Sequence, residues 1–351
     1  MKRFITLAFL IVFVVSVDAQ TRFRSGIFLH HSTGGCIWGP NGSGKSVPGE
    51  MTIYNNTHAY SGANAVTMTE EWWSPADNEW STQHEFFEDP SLVTGIGKYL
   101  SGNKIIVIKS CFPSSSIYDA GQPSDTLSPE DKTVYNYKWH WRHIIREMQK
   151  HPDNFFVIWT NAPLEPGSTN TGEAMFSKWF CKWAKDTLAK GLDPEFGTFP
   201  PNVYVFDFFS KLTGANGMML TQYRNGDGDS HPNASATELV APQFVNEIFN
   251  AAIAYESVYS AVESFESYSN CYIYPNPMKN SGMVAFMVSE KCKVTINLFS
   301  SEGKLIAILF DGLAKKAVNF VNINESLPAG IYYCKIMSGN QITTRKIIVA
   351  D

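Results

Sequence analysis

Three short stretches place a hydroxyl, an imidazole, a carboxylate and an amide where acyl transfer would use them. The apolar run Gly26–His31 leads into "LHHSTGG", which sets Ser32 at the tip of a β-strand and follows it with Thr33, Gly34 and Gly35. A serine at the carboxyl end of the first strand of an open α/β sheet lies where such sheets bind their ligands. The small residues after it let a substrate and the backbone amides come close. A serine hydroxyl is a weak nucleophile until a base takes its proton and an acid orients that base. "GDGDSHPNASATELV" offers both, with Asp229 and His231 two positions apart on a loop before the last helix. "VIWTNAPL" ends another apolar run at Asn161, whose side-chain amide can donate to a developing oxyanion. Ser32 itself is the expected second member of that oxyanion hole. The loop "KSCFPSSSI" (Lys109–Ile117) is a further source of backbone N–H. An alternative for the acidic loop is cation binding, since Asn225, Asp227 and Asp229 resemble the start of a calcium loop; no glutamate stands twelve positions from either aspartate, which weakens it.

The elements that must hold these residues alternate between apolar strands and helical stretches from about Ser25 to Ser257. Strands are predicted at Gly26–His31, Lys104–Ser110, Phe155–Asn161 and Val203–Phe209, and their near-continuous apolar character suits burial on both faces of a parallel sheet. Helices are predicted at Thr133–His151, at Glu173–Gly191 and from near Ala234. Repeated strand–helix–strand units imply helices on both faces of the sheet. The aromatic stretch from Gly39 to Leu100 reads as an irregular insertion at one end of the sheet, with Trp72 and Trp73 as expected substrate contacts beside His31. Of His30 and His31, one must point to each face of the sheet. His140 and His143 stand one helical turn apart, a spacing compatible with a metal but more suited to packing, so no metal and no cofactor is expected.

The chain has 351 residues, which suggests two domains. A net charge of −5 without a basic run gives no electrostatic footprint for nucleic acid. "MKRFITLAFLIVFVVSVDAQ" has a basic start, an apolar run and small residues before Ala19/Gln20, the pattern of a secretory signal peptide at 1–19. No other stretch is apolar for long enough to predict a membrane span in the mature chain. Six cysteines therefore face an oxidising compartment, but no C-x-x-C pair occurs, and some thiols are expected simply to be buried. The organisation expected is an α/β domain at 20–262, a linker at 263–271 and a strand-rich domain at 272–351, broken regularly by Gly, Pro and Asn as in a small β-sandwich.

Two resemblances follow from these residues. "YPNP" (Tyr274–Pro277), "LFSSEGKLI" (Leu298–Ile306), "LPAGIYYCKI" (Leu327–Ile336) and "TTRKIIV" (Thr343–Val349) resemble the C-terminal sorting domain of the bacterial type IX secretion system. That resemblance implies the secretion machinery as a partner and a secreted or surface-attached protein. The order Ser32, the turn after the second strand, Asn161, then Asp229 and His231 resembles the SGNH (GDSL-like) hydrolases. It implies a flavodoxin-like three-layer α/β/α fold and ester hydrolysis on acylated carbohydrate. Ser32 would be nucleophile, His231 base, Asp229 orienting acid and Asn161 oxyanion donor. The sequence departs from the family with "HHST" for G-D-S, "CFPSS" in place of a glycine, and D-S-H for D-x-x-H, although D-x-H occurs in the alginate acetyltransferase-like branch. A non-catalytic glycan-binding surface protein on the same scaffold is the alternative.

"GPNGSGKS" (Gly39–Ser46) matches the phosphate-cradling pattern G-x-x-x-x-G-K-[ST] in full. Its context argues against a nucleotide: the strand ends near His31, seven residues before Gly39 are not strand, and Pro48 and Gly49 disfavour a sustained helix after it.

Overall fold

The computed structural model describes residues 23–77, 80–265, 271–279, 281–288, 290–315, 317–338 and 341–350. The expected signal peptide and residues 266–270 of the expected linker lie outside them. Among the described residues no helix is long and apolar enough to cross a membrane. The first unit is mixed α/β. Its five-stranded parallel sheet consists of β1 (Ser25–His30), β2 (Thr67–Trp72), β3 (Ile105–Ile108), β4 (Phe155–Trp159) and β5 (Val203–Phe206), in the order β2-β1-β3-β4-β5. Its helices are α1 (Thr33–Trp38), α2 (Val47–Thr57), α3 (Trp80–Glu88), α4 (Gly97–Leu100), α5 (Val134–Gln149), α6 (Thr171–Trp183), α7 (Phe208–Leu212) and α8 (Ala234–Phe265). α8 runs three residues past the boundary expected at 262.

Alternation along the strands sends side chains into two cores. Phe28, Val107, Val157 and Trp159 pack under α1, α2 and α8, while Leu29, Ile106, Ile108 and Ile158 pack under α3, α5 and α6. Phe28 stacks on Trp159 with centroids 5.0 Å apart, and Trp159 meets Phe244 of α8 edge-on at 4.9 Å. Each buried aliphatic chain contributes roughly 1.5–3 kcal/mol, which explains why the three central strands β1, β3 and β4 are apolar on both faces.

The stretch from Gly39 to Leu100 is a correction to the sequence reading, because it is built into the fold. β2 is the edge strand of the main sheet, paired with β1 from Ser25↔Thr67 to His30↔Trp72. An edge strand needs little apolar surface, and among Thr67–Trp72 only Met68 is buried. α2 begins directly after Ser46, whose hydroxyl accepts from the Gly49 N–H at 3.1 Å. Pro48 sits in the first turn, where its missing N–H is no loss.

α3 and α5 meet at two histidines. His140 Nε2 lies 2.9 Å from the Pro129 carbonyl and so carries a proton, which leaves Nδ1 to accept from His84 Nδ1 at 3.0 Å. The His143 ring is tied to the Trp139 carbonyl at 2.8 Å, and no cluster of metal ligands occurs among the described residues. Burial pushes the His140 imidazole down to about 4. A histidine with a lowered folded value stabilises the fold above its unfolded value near 6.5, and that contribution is lost as pH falls through 4. The unfolding free energy from urea titrations is therefore expected to fall between pH 6.5 and 4, by roughly 2–3 kcal/mol for this group, and His140→Gln should reduce that dependence.

The second unit carries β8 (Cys271–Tyr274), β9 (Gly282–Val288), β10 (Cys292–Ser300), β11 (Leu305–Ala314), β12 (Ala317–Ile323), β13 (Gly330–Ser338) and β14 (Gln341–Val349), following the two-stranded hairpin β6 (Arg224–Gly226) and β7 (Asp229–Pro232) of the first. A four-stranded sheet, β11-β10-β13-β14, and a three-stranded one, β12-β9-β8, share one core around Val284, Ile296, Cys334 and Ile347. Both sheets are antiparallel. Its motif residues stitch the ends together. Asn276 of "YPNP" donates to the Lys346 carbonyl and accepts from the Ile348 N–H, both at 2.8 Å, and Arg345 donates to the Cys271 carbonyl at 3.0 Å. All six cysteines are free thiols, four of them buried.

Candidate active site

Sheet register decides which loops meet. Leu29 pairs with Ile108, Ile108 with Ile158 and Ile158 with Val205. Ser32, Cys111 and Asn161 each follow that row by three positions, so all three leave the same end of the sheet at the same level. This is the carboxyl end of the parallel strands, where open α/β sheets hold their ligands.

Ser32 occupies the turn from β1 into α1 with φ 43° and ψ −92°, a left-handed backbone that L-residues avoid. Gly34 is obligatory beside it, because a Cβ there would lie 2.4 Å from His30 Cβ. The Ser32 hydroxyl is hydrogen-bonded to His231 Nε2. His231 Nδ1 is 2.6 Å from Asp229 Oδ1, and the same oxygen accepts the His231 backbone N–H at 2.9 Å. Asn225 donates to the other oxygen, Oδ2, at 2.8 Å. The Asn225 amide, with the His231 backbone N–H next, holds the Asp229 carboxyl down at about 2. Asp229 is thus a carboxylate, His231 Nδ1 carries the proton facing it, and Nε2 can accept from serine. The edge of the His231 ring rests against Phe112, centroids 5.1 Å apart. The acidic loop read as a start of a calcium site is this hairpin, with Asn225 spent on Asp229.

Asn161 is fully buried, and its Oδ1 accepts from the Trp80 indole N–H at 3.1 Å. An indole N–H only donates, so the carbonyl end of the amide is the end it holds. Nδ2 then remains a buried donor without a hydrogen-bond partner. A buried unsatisfied N–H is unfavourable by about 1–3 kcal/mol, the kind of exception that marks a group kept ready for a ligand. Trp80 is fixed in turn by an edge-on contact with Trp141 at 5.2 Å.

Lys109 is buried next to the Ser32 turn and donates to the His31 carbonyl at 3.2 Å, while Gln83 donates to the Lys109 carbonyl at 3.2 Å. The sequence reading missed Trp80, Gln83 and Lys109 as site residues. Lys109 alone left a signal, a cation at the end of the otherwise apolar "KIIVIKS". His30 is the inward histidine. Its buried ring, pushed down to about 4 by burial and then by Lys109 and His31, is neutral and donates from Nε2 to Glu70 at 2.6 Å.

The expected substrate contacts divide. His31 and Trp72 form a pair at the mouth, ring centroids 4.0 Å apart, with Trp72 62% exposed. Trp73 is buried and packs edge-on against Phe86 at 4.9 Å, so it fills the core and corrects the expectation of a sugar contact. Consecutive strand residues face opposite ways, and only one of the two tryptophans can look outward.

The Gly39–Ser46 loop follows helix α1, not a strand. Its Gly44 N–H donates to Glu238 at 3.2 Å, Lys45 pairs with Glu50 at 3.0 Å, and Asn41 donates to the Pro232 carbonyl at 2.8 Å. Its groups are thus tied to α8, to α2 and, through Asn41, to the hairpin next to His231.

Among solved structures, the chain is similar to dimeric latent PorU from Porphyromonas gingivalis, at 15% identity and TM-score 0.20. It is also similar to a Lactobacillus rhamnosus β-glucuronidase, at 15% identity and TM-score 0.16. Each match takes in 23% of this chain, and the chain spans only 9% and 15% of those two proteins. BT4096, a gut microbial diltiazem-metabolizing enzyme, is similar at 9% identity over 84% of this chain and 72% of its own, with TM-score 0.37. No curated protein matches. Residues 272–350 match the family model described as "Secretion system C-terminal sorting domain". With the sandwich and its stitched motifs in place, residues 272–350 are a type IX secretion C-terminal sorting domain, and the chain is exported, to be secreted or held at the cell surface.

Proposed function

We propose that the α/β unit is an SGNH-type serine esterase acting outside the cell on acyl esters of carbohydrate. The observation that carries this reading is the continuous hydrogen-bonded chain from Ser32 to His231 to Asp229 at the carboxyl end of the sheet. In the reaction, the Ser32 proton passes to His231 Nε2 as Oγ attacks the acyl carbon. The carbonyl oxygen takes the negative charge and is met by Asn161 Nδ2 and the Ser32 backbone N–H. Imidazolium, steadied by ionised Asp229, then protonates the sugar oxygen as its bond to the acyl carbon breaks, and the sugar leaves with a free hydroxyl. Water repeats the sequence on the acyl-serine: His231 takes a proton from it as its oxygen bonds to the acyl carbon, then returns that proton to Ser32 Oγ as the carboxylic acid leaves. The exposed Trp72 ring beside His31 offers a face for a pyranose to stack on, and export brings the site to polymers outside the cell.

A fluorophosphonate probe tests this directly. The purified protein is expected to take one adduct, mapped by mass spectrometry to Ser32, and to release acetate from p-nitrophenyl acetate and acetylated xylan. Absence of both labelling and turnover across a broad ester panel rejects the esterase in favour of a glycan-binding protein on the same scaffold.

A further inference from the structure

Between the loop that carries Asn161 and the hairpin that carries Asp229 and His231 lies one buried carboxylate, Glu165, with none of its side-chain surface exposed. It accepts from Arg224 Nη1 at 2.7 Å and from Ser168 Oγ at 2.9 Å. Gly167 makes room for it, since a Cβ there would sit 2.6 Å from Glu165 Oε1. The Glu165 backbone N–H donates at 3.0 Å to the hydroxyl of Ser230, which is buried. Ser230 stands between Asp229 and His231 on β7, so its side chain points away from theirs. Arg224 opens β6 and adds an ion pair with Asp227. Asn225, the next residue, is the one that holds Asp229. A charged fork in a buried site is geometrically specific where a single point charge is not.

We infer that Glu165 is a positioning residue: through Arg224 and Ser230 it sets the placement of the Asp229–His231 pair against the Asn161 amide. The inference rests on the esterase reading for its kinetic effect, but not for its effect on the pair. Misplacement of about 1 Å lowers turnover by as much as 10²-fold, whereas a purely structural carboxylate would alter melting temperature alone.

The test uses the full chain with Glu165→Gln, Arg224→Lys and Arg224→Gln, each assayed well below its melting temperature. Two quantities are read: kcat and KM on p-nitrophenyl acetate, and the downfield proton resonance of His231 Nδ1–H bonded to Asp229. Glu165→Gln is expected to lower kcat about 10- to 100-fold with KM changed less than about threefold, and to broaden or remove the His231 resonance. Arg224→Lys, which keeps the charge but not the fork, should retain more of both signals than Arg224→Gln, and this pair carries the test if Glu165→Gln does not fold. An unchanged kcat and an unchanged resonance in variants that only melt earlier overturn the inference. If the wild type hydrolyses no ester, the esterase reading fails by itself. The His231 resonance then still decides: its loss in the variants supports Glu165 as the clamp, and its persistence rejects it.

Discussion

Ser32→Ala is expected to lower kcat/KM on acetyl esters by about 10⁴-fold or more while leaving the protein folded. The argument is geometric. The Ser32 hydroxyl is held on His231 Nε2 before any substrate arrives, and the opposite nitrogen faces a carboxylate that stays ionised down to about pH 2. Removing the hydroxyl removes the atom that is placed to attack the acyl carbon, while His231 and Asp229 remain. His231→Ala should have an effect of similar size, and the double variant should be little worse than either, because groups that act as a unit do not add. The measurement is kcat/KM on p-nitrophenyl acetate together with fluorophosphonate labelling. A Ser32→Ala protein that keeps even a tenth of wild-type turnover would show that the chemistry, if any, lies elsewhere.

The second large effect belongs to Asn161. Asn161→Ala is expected to lower kcat by roughly 10²- to 10³-fold with little change in KM, the signature of a donor that works only when charge develops. Asn161→Asp should be as damaging, since a carboxylate facing an oxyanion repels it. Trp80→Phe supplies the control. It keeps Asn161 but removes the indole N–H that holds the amide by its oxygen, so the amide can turn, and an intermediate loss is expected. Equal activity of wild type, Asn161→Ala and Trp80→Phe would remove Asn161 from the oxyanion hole.

What the sequence disclosed follows from how far apart the partners are. β1, β3, β4 and the edge strand β5 were legible because each is an apolar run, as strands covered by helices on both faces need to be. β2 was not, since an edge strand carrying Glu70 and Glu71 has no such pattern. α2 was not legible because, although a first turn tolerates Pro48, the glycine, β-branched and Asn-rich residues after it show no amphipathic pattern. In the site, Ser32, Asn161, Asp229 and His231 could be picked out because strand ends and a short D-x-H spacing mark them. Trp80, Gln83 and Lys109 could not, because nothing local says that an indole at 80 will hold an amide at 161. The tandem Trp72 and Trp73 show the limit of composition: identical side chains, one exposed beside His31 and one buried against Phe86. The SGNH reading itself stands on the four site residues and on the strand order, and the catalytic experiments above decide it.

The turn at Ser32 has one more consequence. Its backbone lies where glycine is at ease and serine is not, at a disadvantage on the order of 1–3 kcal/mol. Glycine is plentiful in the neighbourhood, at positions 34 and 35. A chain selected for folding alone would have moved glycine two places back and gained a firmer start to its first helix. Keeping a hydroxyl there instead is a standing sacrifice of robustness, renewed in every copy exported, and drift toward glycine at this turn would give a sturdier protein without the hydroxyl that the proposed esterase needs.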